Sequence, residues 1–161
     1  MTSQAVGAGV VGTAVVGGGG TLAAYAAGAF GKDTYLTQAK SDSEIKEKKD
    51  YIGNNKSTIE ERLGDTSTPK YWDIVKGKWD NMLDDTNTLG KPSGGSSALF
   101  GDNDKATNKL KIATFVNKWC ESISKKELKI IPNSEGNEKN TWEAFKEVCF
   151  VAKAVSSTVV S

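Results

Sequence analysis

Apolar side chains recur every three or four residues along three stretches of the chain, and this spacing predicts amphipathic helices. The first helix follows Thr68 and Pro69, which suit the N-cap and the first helical position. The second and longest begins at Asp102 or Asp104, and Asn140 caps the third. In order, the predicted apolar stripes are Trp72, Val75, Trp79 and Met82; Ile112, Val116, Trp119 and Ile123; and Trp142, Phe145, Cys149 and Ala152.

The segment from 32 to 66 has only sparse apolar positions among many charged ones, which predicts a solvated tether with short helices. One short helix is expected over residues 57–63, with Ser57 as N-cap and Glu60 completing a capping box. The sequence predicts little burial for this segment.

The turn-rich stretch LGKPSGGSSALFG predicts a loop from which Leu99 and Phe100 reach the core. Tryptophans at helical spacing are more often packed in a core than arranged around a ligand. The predicted core aromatic residues are therefore Trp72, Trp79, Trp119 and Trp142.

Residues 1–31 contain no Asp, Glu, Lys or Arg, and this charge-free run exceeds the roughly 20 residues that cross a bilayer core. The sequence therefore predicts membrane contact through residues 5–30. Two alternatives remain open. A cleavable signal peptide would use the small-residue patterns Ala24-Tyr25-Ala26 or Ala27-Gly28-Ala29, and a Gly/Ala-rich tail would not enter the membrane.

The same segment contains GAGVVG, the G-x-G-x-x-G pattern of dinucleotide-binding sites. That pattern needs a preceding strand and a following helix that packs on a sheet. Only residues 1–6 precede Gly7, and no alternation of strands and helices follows. No nucleotide cofactor is predicted.

These patterns predict a mainly α protein, in which an N-terminal apolar segment precedes a small helical bundle with long loops. The predicted divisions are an apolar Gly/Ala-rich segment (1–31), a charged tether (32–66), a helical domain (67–155) and a tail (156–161).

Composition narrows the candidate functions. The formal net charge is +1, and Arg62 is the only arginine, so the electrostatic signature of nucleic-acid binding is missing. The chain has no histidine, which removes Ser-His-Asp and Cys-His catalysis and histidine metal sites. We predict a protein that is not an enzyme, has no catalytic residues and does not bind nucleic acid. The sequence favours no particular oligomeric state.

The sequence predicts no metal site either. DNDKATNKLKIA resembles the start of a calcium loop, but Thr107 stands where glycine is needed and Ala113 where a bidentate glutamate is needed. Two cysteines without histidine cannot complete the usual structural zinc site.

Three segments together resemble a known group of proteins: YWDIVKGKW, FVNKWCESISKKEL and WEAFKEVC. With the apolar N-terminus, this plan is similar to large paralogous sets of small proteins in haemotropic mycoplasmas. The sharpest matches are Trp119-Cys120-Glu121 and the segment from Trp142 to Cys149. The chain departs from the pattern by continuing well past the second cysteine. The resemblance implies a membrane-associated, surface-exposed protein with a role in host interaction or antigenic diversity.

Two rules disagree about which side of the membrane holds the body. Lysines follow the apolar run and none precedes it, so the positive-inside rule favours the cytoplasm. The resemblance and the cleavage-like alanines favour the outside. We predict a cell-membrane location with an extracellular body.

Cys120 and Cys149 lie on, or at the edge of, the apolar stripes of the last two predicted helices. An antiparallel helical hairpin would bring the two stripes together. In an oxidising compartment a disulfide is expected, whereas a reducing compartment would leave two buried thiols.

Two functional hypotheses follow from these observations. The first is a surface protein of unknown molecular activity that interacts with host or surface proteins. The second is a ligand-binding or enzymatic accessory protein with a Trp-lined helical pocket.

Overall fold

The computed structural model describes residues 33–101 and 105–153. The predicted membrane segment (residues 5–30) and the tail (residues 156–161) lie outside these ranges, as do the aspartates predicted to start the longest helix. The fold below is that of the described residues.

Two short helices come first. Helix α1 (Tyr35–Ser41) begins after Thr34, whose hydroxyl accepts a hydrogen bond from the backbone N–H of Thr37. Helix α2 (Ser43–Lys48) begins after Asp42, which caps it with its carboxylate. The structure differs here from the predicted solvated tether, because the few apolar side chains pack into the core. The buried residues of the two helices are Tyr35, Leu36, Ala39 and Ile45.

Helix α3 (Lys56–Gly64) has a different N-cap from the one predicted. The carboxamide oxygen of Asn55 accepts a hydrogen bond from the N–H of Thr58 at 3.1 Å. Ser57 therefore lies inside the first turn and does not cap the helix, because the asparagine before it already supplies the acceptor. Ile59 and Leu63 form the buried side of α3.

Helix α4 (Tyr71–Lys78) begins later than the Thr68–Pro69 signal predicts. The side chain of Tyr71 is buried, and its hydroxyl donates a hydrogen bond to the carbonyl of Val148 at 2.6 Å. No side chain caps α4, so local capping preference does not determine where the helix begins. The long-range contact of Tyr71 determines it instead.

The apolar stripe of α4 continues into a 3₁₀ turn (Trp79–Asn81). Beyond the loop of residues 82–95, helix α5 (Ser96–Leu99) was not predicted, but Leu99 and Phe100 are buried as expected. The predicted stripe residues Trp72, Val75, Trp79 and Met82 are all buried.

Helix α6 (Lys105–Lys125) is the longest described helix, and it packs most extensively against α3. Glu60 of α3, predicted to complete a capping box, instead lies 4.0 Å from the ammonium nitrogen of Lys109 on α6. All four predicted stripe residues are buried: Ile112, Val116, Trp119 and Ile123.

Helix α7 (Asn137–Val148) begins before the predicted cap at Asn140. Gly136 has a φ of 151°, a conformation that residues with side chains rarely adopt, so the glycine provides the turn into the helix. Asn140 consequently lies in the first turn, where its backbone N–H donates to the carbonyl of Gly136 at 3.0 Å. Trp142 and Phe145 are buried.

A small antiparallel sheet replaces the predicted end of the last helical stripe. Strand β1 (Lys49–Tyr51) pairs with strand β2 (Phe150–Ala152), with Tyr51 opposite Phe150. Ala152 was expected on the helical stripe but lies in β2 and is exposed. The helix ends because Cys149 is its C-cap and the following residues pair with β1.

The described residues are mainly helical, with one two-stranded sheet, and this confirms the predicted fold class at that level. Within the described ranges, no helix combines the length and the apolarity needed to cross a lipid bilayer.

Candidate functional site

A disulfide joins α6 to the end of α7. Cys120 and Cys149 are both fully buried, and their Cα atoms are 5.7 Å apart. No described cysteine is free. The predicted bridge is therefore confirmed, and the alternative of two buried thiols is not observed.

The segment after β1 covers this disulfide. The N–H of Ile52 donates to the carbonyl of Cys149 at 2.9 Å, and the hydroxyl of Tyr51 donates to the carbonyl of Cys120 at 3.2 Å. A Cβ on Gly53 would lie 2.5 Å from the Cβ of Cys120, closer than real Cβ atoms approach. Backbone and disulfide therefore touch directly at Gly53.

All four tryptophans are buried, and Trp72 and Trp79 pack against a phenylalanine ring. The exposed fractions of Trp72, Trp79, Trp119 and Trp142 are 5%, 1%, 0% and 3%. Phe100 contacts both Trp72 and Trp79, with ring centroids 4.9 and 5.2 Å apart. The indole N–H of Trp119 donates to the carbonyl of Leu83 at 3.1 Å. The tryptophans thus act as packed core residues.

The described residues form three surface depressions without a tryptophan in their lining, so none of the three matches the predicted Trp-lined pocket. The depression between α2 and α7 has a volume of about 390 Å³ and carries several carboxylates. Two of these are paired with lysines: Asp42 with Lys146 at 3.9 Å, and Glu147 with Lys78 at 3.1 Å. Among the described residues no group of His, Cys, Asp or Glu is placed to hold a metal ion.

The side chains of Asp84 and Lys91 form a polar clasp on the loop of residues 82–95, which the sequence pattern did not predict. The carboxylate of Asp84 accepts hydrogen bonds from the backbone N–H groups of residues 88–91 at 3.1–3.4 Å. The ammonium group of Lys91 donates to the carbonyls of Trp79 and Met82 at 2.7 and 2.9 Å. Burial lowers the pKa of Lys91 from its usual value, while Asp80 and Asp84 act in the opposite direction.

The turn after α6 exposes two isoleucines. The exposed fraction is 81% for Ile130 and 44% for Ile131, whereas the preceding Leu128 is buried. We call residues 125–131 the lysine–isoleucine tip. Sequence reasoning missed this surface because KELKIIPN has no helical or strand period that separates an exposed isoleucine from a buried one.

The tip is hydrogen-bonded to the beginning of the described chain. The N–H of Leu128 donates to the carbonyl of Asp33 at 2.7 Å, and the N–H of Tyr35 donates to the carbonyl of Lys126 at 3.0 Å. Thr34 and Glu127 form an antiparallel bridge between these two bonds. Asp33 is therefore fixed beside the tip.

The chain matches no protein-family model, and no curated protein or solved structure is significantly similar to it. The class of protein is therefore defined by the fold of the described residues alone. It is a disulfide-bonded, mainly helical domain with a filled aromatic core.

Proposed function

We propose that this chain is a membrane-associated surface protein whose helical domain lies outside the membrane and acts by interaction, not by catalysis. The observation that carries the proposal is the buried disulfide between Cys120 and Cys149. Structural disulfides form and persist in oxidising compartments and are rare in reducing ones. The disulfide supports an extracellular body over the cytoplasmic body favoured by the positive-inside rule.

Membrane association rests on the sequence of residues 1–31, the long charge-free run of the chain. The run joins the described domain through a single residue, Lys32. A domain tethered in this way would remain at the cell surface.

The proposed role is contact with host or surface proteins, or antigenic diversity, as the resemblance to haemotropic mycoplasma proteins implies. The filled core supports this role, because Trp72 and Trp79 pack against phenylalanine rings and the described surface depressions are not lined by indole. Among the described residues, no contact or depression gives similar support to the ligand-binding or enzymatic alternative. The proposal includes no cofactor and no nucleic acid.

Cell fractionation combined with protease treatment tests the proposal. Full-length protein and a variant lacking residues 2–31 would be expressed in the same cells. We expect the full-length protein in the membrane fraction, with its domain digested by protease added to intact cells. Equal recovery of both proteins in the soluble fraction would contradict membrane association. A membrane-bound domain that resists protease until the cells are lysed would contradict the extracellular orientation.

A further inference from the structure

We propose that residues 51–54 form a lid over the buried disulfide, and that thiol reductants reach the Cys120–Cys149 bridge by local opening of this lid while the rest of the domain stays folded. The lid would act in any compartment that contains thiols. Its role therefore goes beyond the proposed surface function and does not depend on membrane association.

The lid lies directly against the bridge. Both cysteines are fully buried, so a reductant cannot touch their sulfur atoms while the lid is closed. A Cβ on Gly53 would lie 2.5 Å from the Cβ of Cys120, which places the lid backbone in contact with that cysteine. The last residue of the lid, Asn54, is half-buried, and Asn55 after it is exposed. Displacement of the lid therefore removes a contact that separates Cys120 from solvent.

The helices that carry the cysteines form a much stronger wall. Reaching the bridge from their side requires α6 to separate from α7, and both helices carry fully buried apolar side chains. These include Val116, Trp119, Phe145 and Val148. Opening the lid exposes the buried side chain of Ile52 and the half-buried ring of Tyr51. Because the cost of exposure grows with apolar area, the lid opens at a lower free energy than the core.

Hydrogen bonds to α6 and to the bridged cysteines hold the lid closed. The N–H of Ile52 donates to the carbonyl of Cys149, and the hydroxyl of Tyr51 donates to the carbonyl of Cys120. The side-chain amide of Asn117, on α6, donates to the carbonyl of Gly53 at 2.8 Å. Two of these donors belong to side chains, so each can be removed by a substitution that keeps both cysteines in place.

The exchange needs a thiol reductant, and a small dithiol, dithiothreitol, is the probe. One thiolate of the dithiol attacks a sulfur of the bridge, and the S–S bond breaks as the other cysteine leaves as a thiolate. The second thiol of the reductant then displaces the first cysteine from the mixed disulfide. The dithiol ends as a cyclic disulfide, and Cys120 and Cys149 each gain one electron and one proton. The first attack requires direct access to a sulfur atom, so it requires an open lid.

The rate of disulfide reduction in the folded, full-length protein tests the lid. Dithiothreitol would be added at several urea concentrations below the unfolding transition, and new thiols would be trapped with maleimide over time. The lid variants are Tyr51→Phe and Asn117→Ala. Tyr71→Phe is the matched control, because it also removes a hydroxyl that donates to a carbonyl near the bridge, that of Val148, but from α4. Urea unfolding of each oxidised protein gives its global stability.

We expect the wild-type reduction rate to depend only weakly on urea, because opening the lid exposes little surface. Each lid variant should be reduced about five-fold faster, the effect of one lost hydrogen bond on the open fraction. The Tyr71 variant should stay within about two-fold of the wild-type rate, since it weakens the core and not the lid. A wild-type rate that rises with urea as steeply as global unfolding does would overturn the lid, and this result needs no variant. Acceleration of all three variants in proportion to their lost global stability would overturn it as well.

Discussion

Gly53 shows how a single residue can control the packing around the disulfide. A methyl group there would meet the Cβ of Cys120 and the hydroxyl of Tyr51, at 2.5 and 2.6 Å. The carbonyl of Gly53 also accepts a hydrogen bond from the side-chain amide of Asn117 at 2.8 Å, so the backbone has little freedom to move away.

We predict that Gly53→Ala lowers the free energy of unfolding by about 1–3 kcal/mol, the usual penalty for overpacking a core. Gly77→Ala is the matched control, because Gly77 lies within α4 and its Cβ would meet nothing within 4 Å. That change should raise stability by about 0.5–1 kcal/mol, since alanine favours helix. Urea unfolding of the two variants measures both effects. Equal stability of the two variants would contradict the close contact at Gly53.

The local sequence does not identify Gly53 as the glycine that cannot accept a side chain. Gly53 lies in a polar stretch and Gly77 in an amphipathic one. The local pattern therefore suggests that Gly77, as a glycine within a helix, lowers stability more than Gly53 does. The difference comes from a contact with Cys120, which is far away along the chain. Steric requirements of this kind depend on tertiary structure and could not be predicted from local pattern.

At the scale of the elements, the sequence predicted helices where a long apolar stripe was present. The stripes of α4 and α6 are buried as expected, because a sustained helical period identifies the inward face. The helix starts were less predictable: Asn55, Tyr71 and Gly136 determine them through a cap, a long-range hydrogen bond and a positive φ. The β1–β2 sheet was missed because three-residue strands contain too few positions to show alternation.

The clasp on the loop of residues 82–95 gives a second prediction. Asp84→Ala removes the acceptor for the backbone N–H groups of residues 88–91 and should lower stability by about 1–3 kcal/mol. The adjacent Asp85 is exposed and has no such partners among the described residues, so Asp85→Ala should change stability by less than about 0.5 kcal/mol.

Thermal unfolding combined with amide hydrogen exchange separates these two variants. Exchange at residues 88–91 should accelerate in the Asp84 variant only, since hydrogen-bonded amides exchange through local opening. The same acceleration in both variants would show that the Asp84 carboxylate does not hold the loop.

At the scale of the whole molecule, the disulfide connects residues 29 positions apart and crosses the core between α6 and the end of α7. Its pairing could be predicted for an oxidising compartment, because both cysteines lie on, or at the edge of, the apolar stripes of helices that are close in sequence. The tip could not be predicted, because exposure of Ile130 depends on how Leu128 and Asp33 fix the turn.

Removing the disulfide should lower the free energy of unfolding more than any of the single substitutions above. In the Cys120→Ala, Cys149→Ala double variant, the unfolded chain is no longer cross-linked between positions 29 residues apart, so its conformational entropy rises. This should lower the free energy of unfolding by about 3–4 kcal/mol. Reductant should destabilise the wild-type protein and leave the double variant unchanged. Equal sensitivity of both proteins to reductant would contradict a stabilising bridge.

The central claim is that the domain is oxidised at the cell surface, and the thiol content of protein taken from intact cells tests it most directly. Cells would be lysed in denaturant with excess maleimide, and the modified mass would be measured before and after reduction. We expect no alkylated cysteine before reduction and both Cys120 and Cys149 alkylated after it. Alkylation of both cysteines without reductant would contradict the claim, because it would place the domain in a reducing compartment.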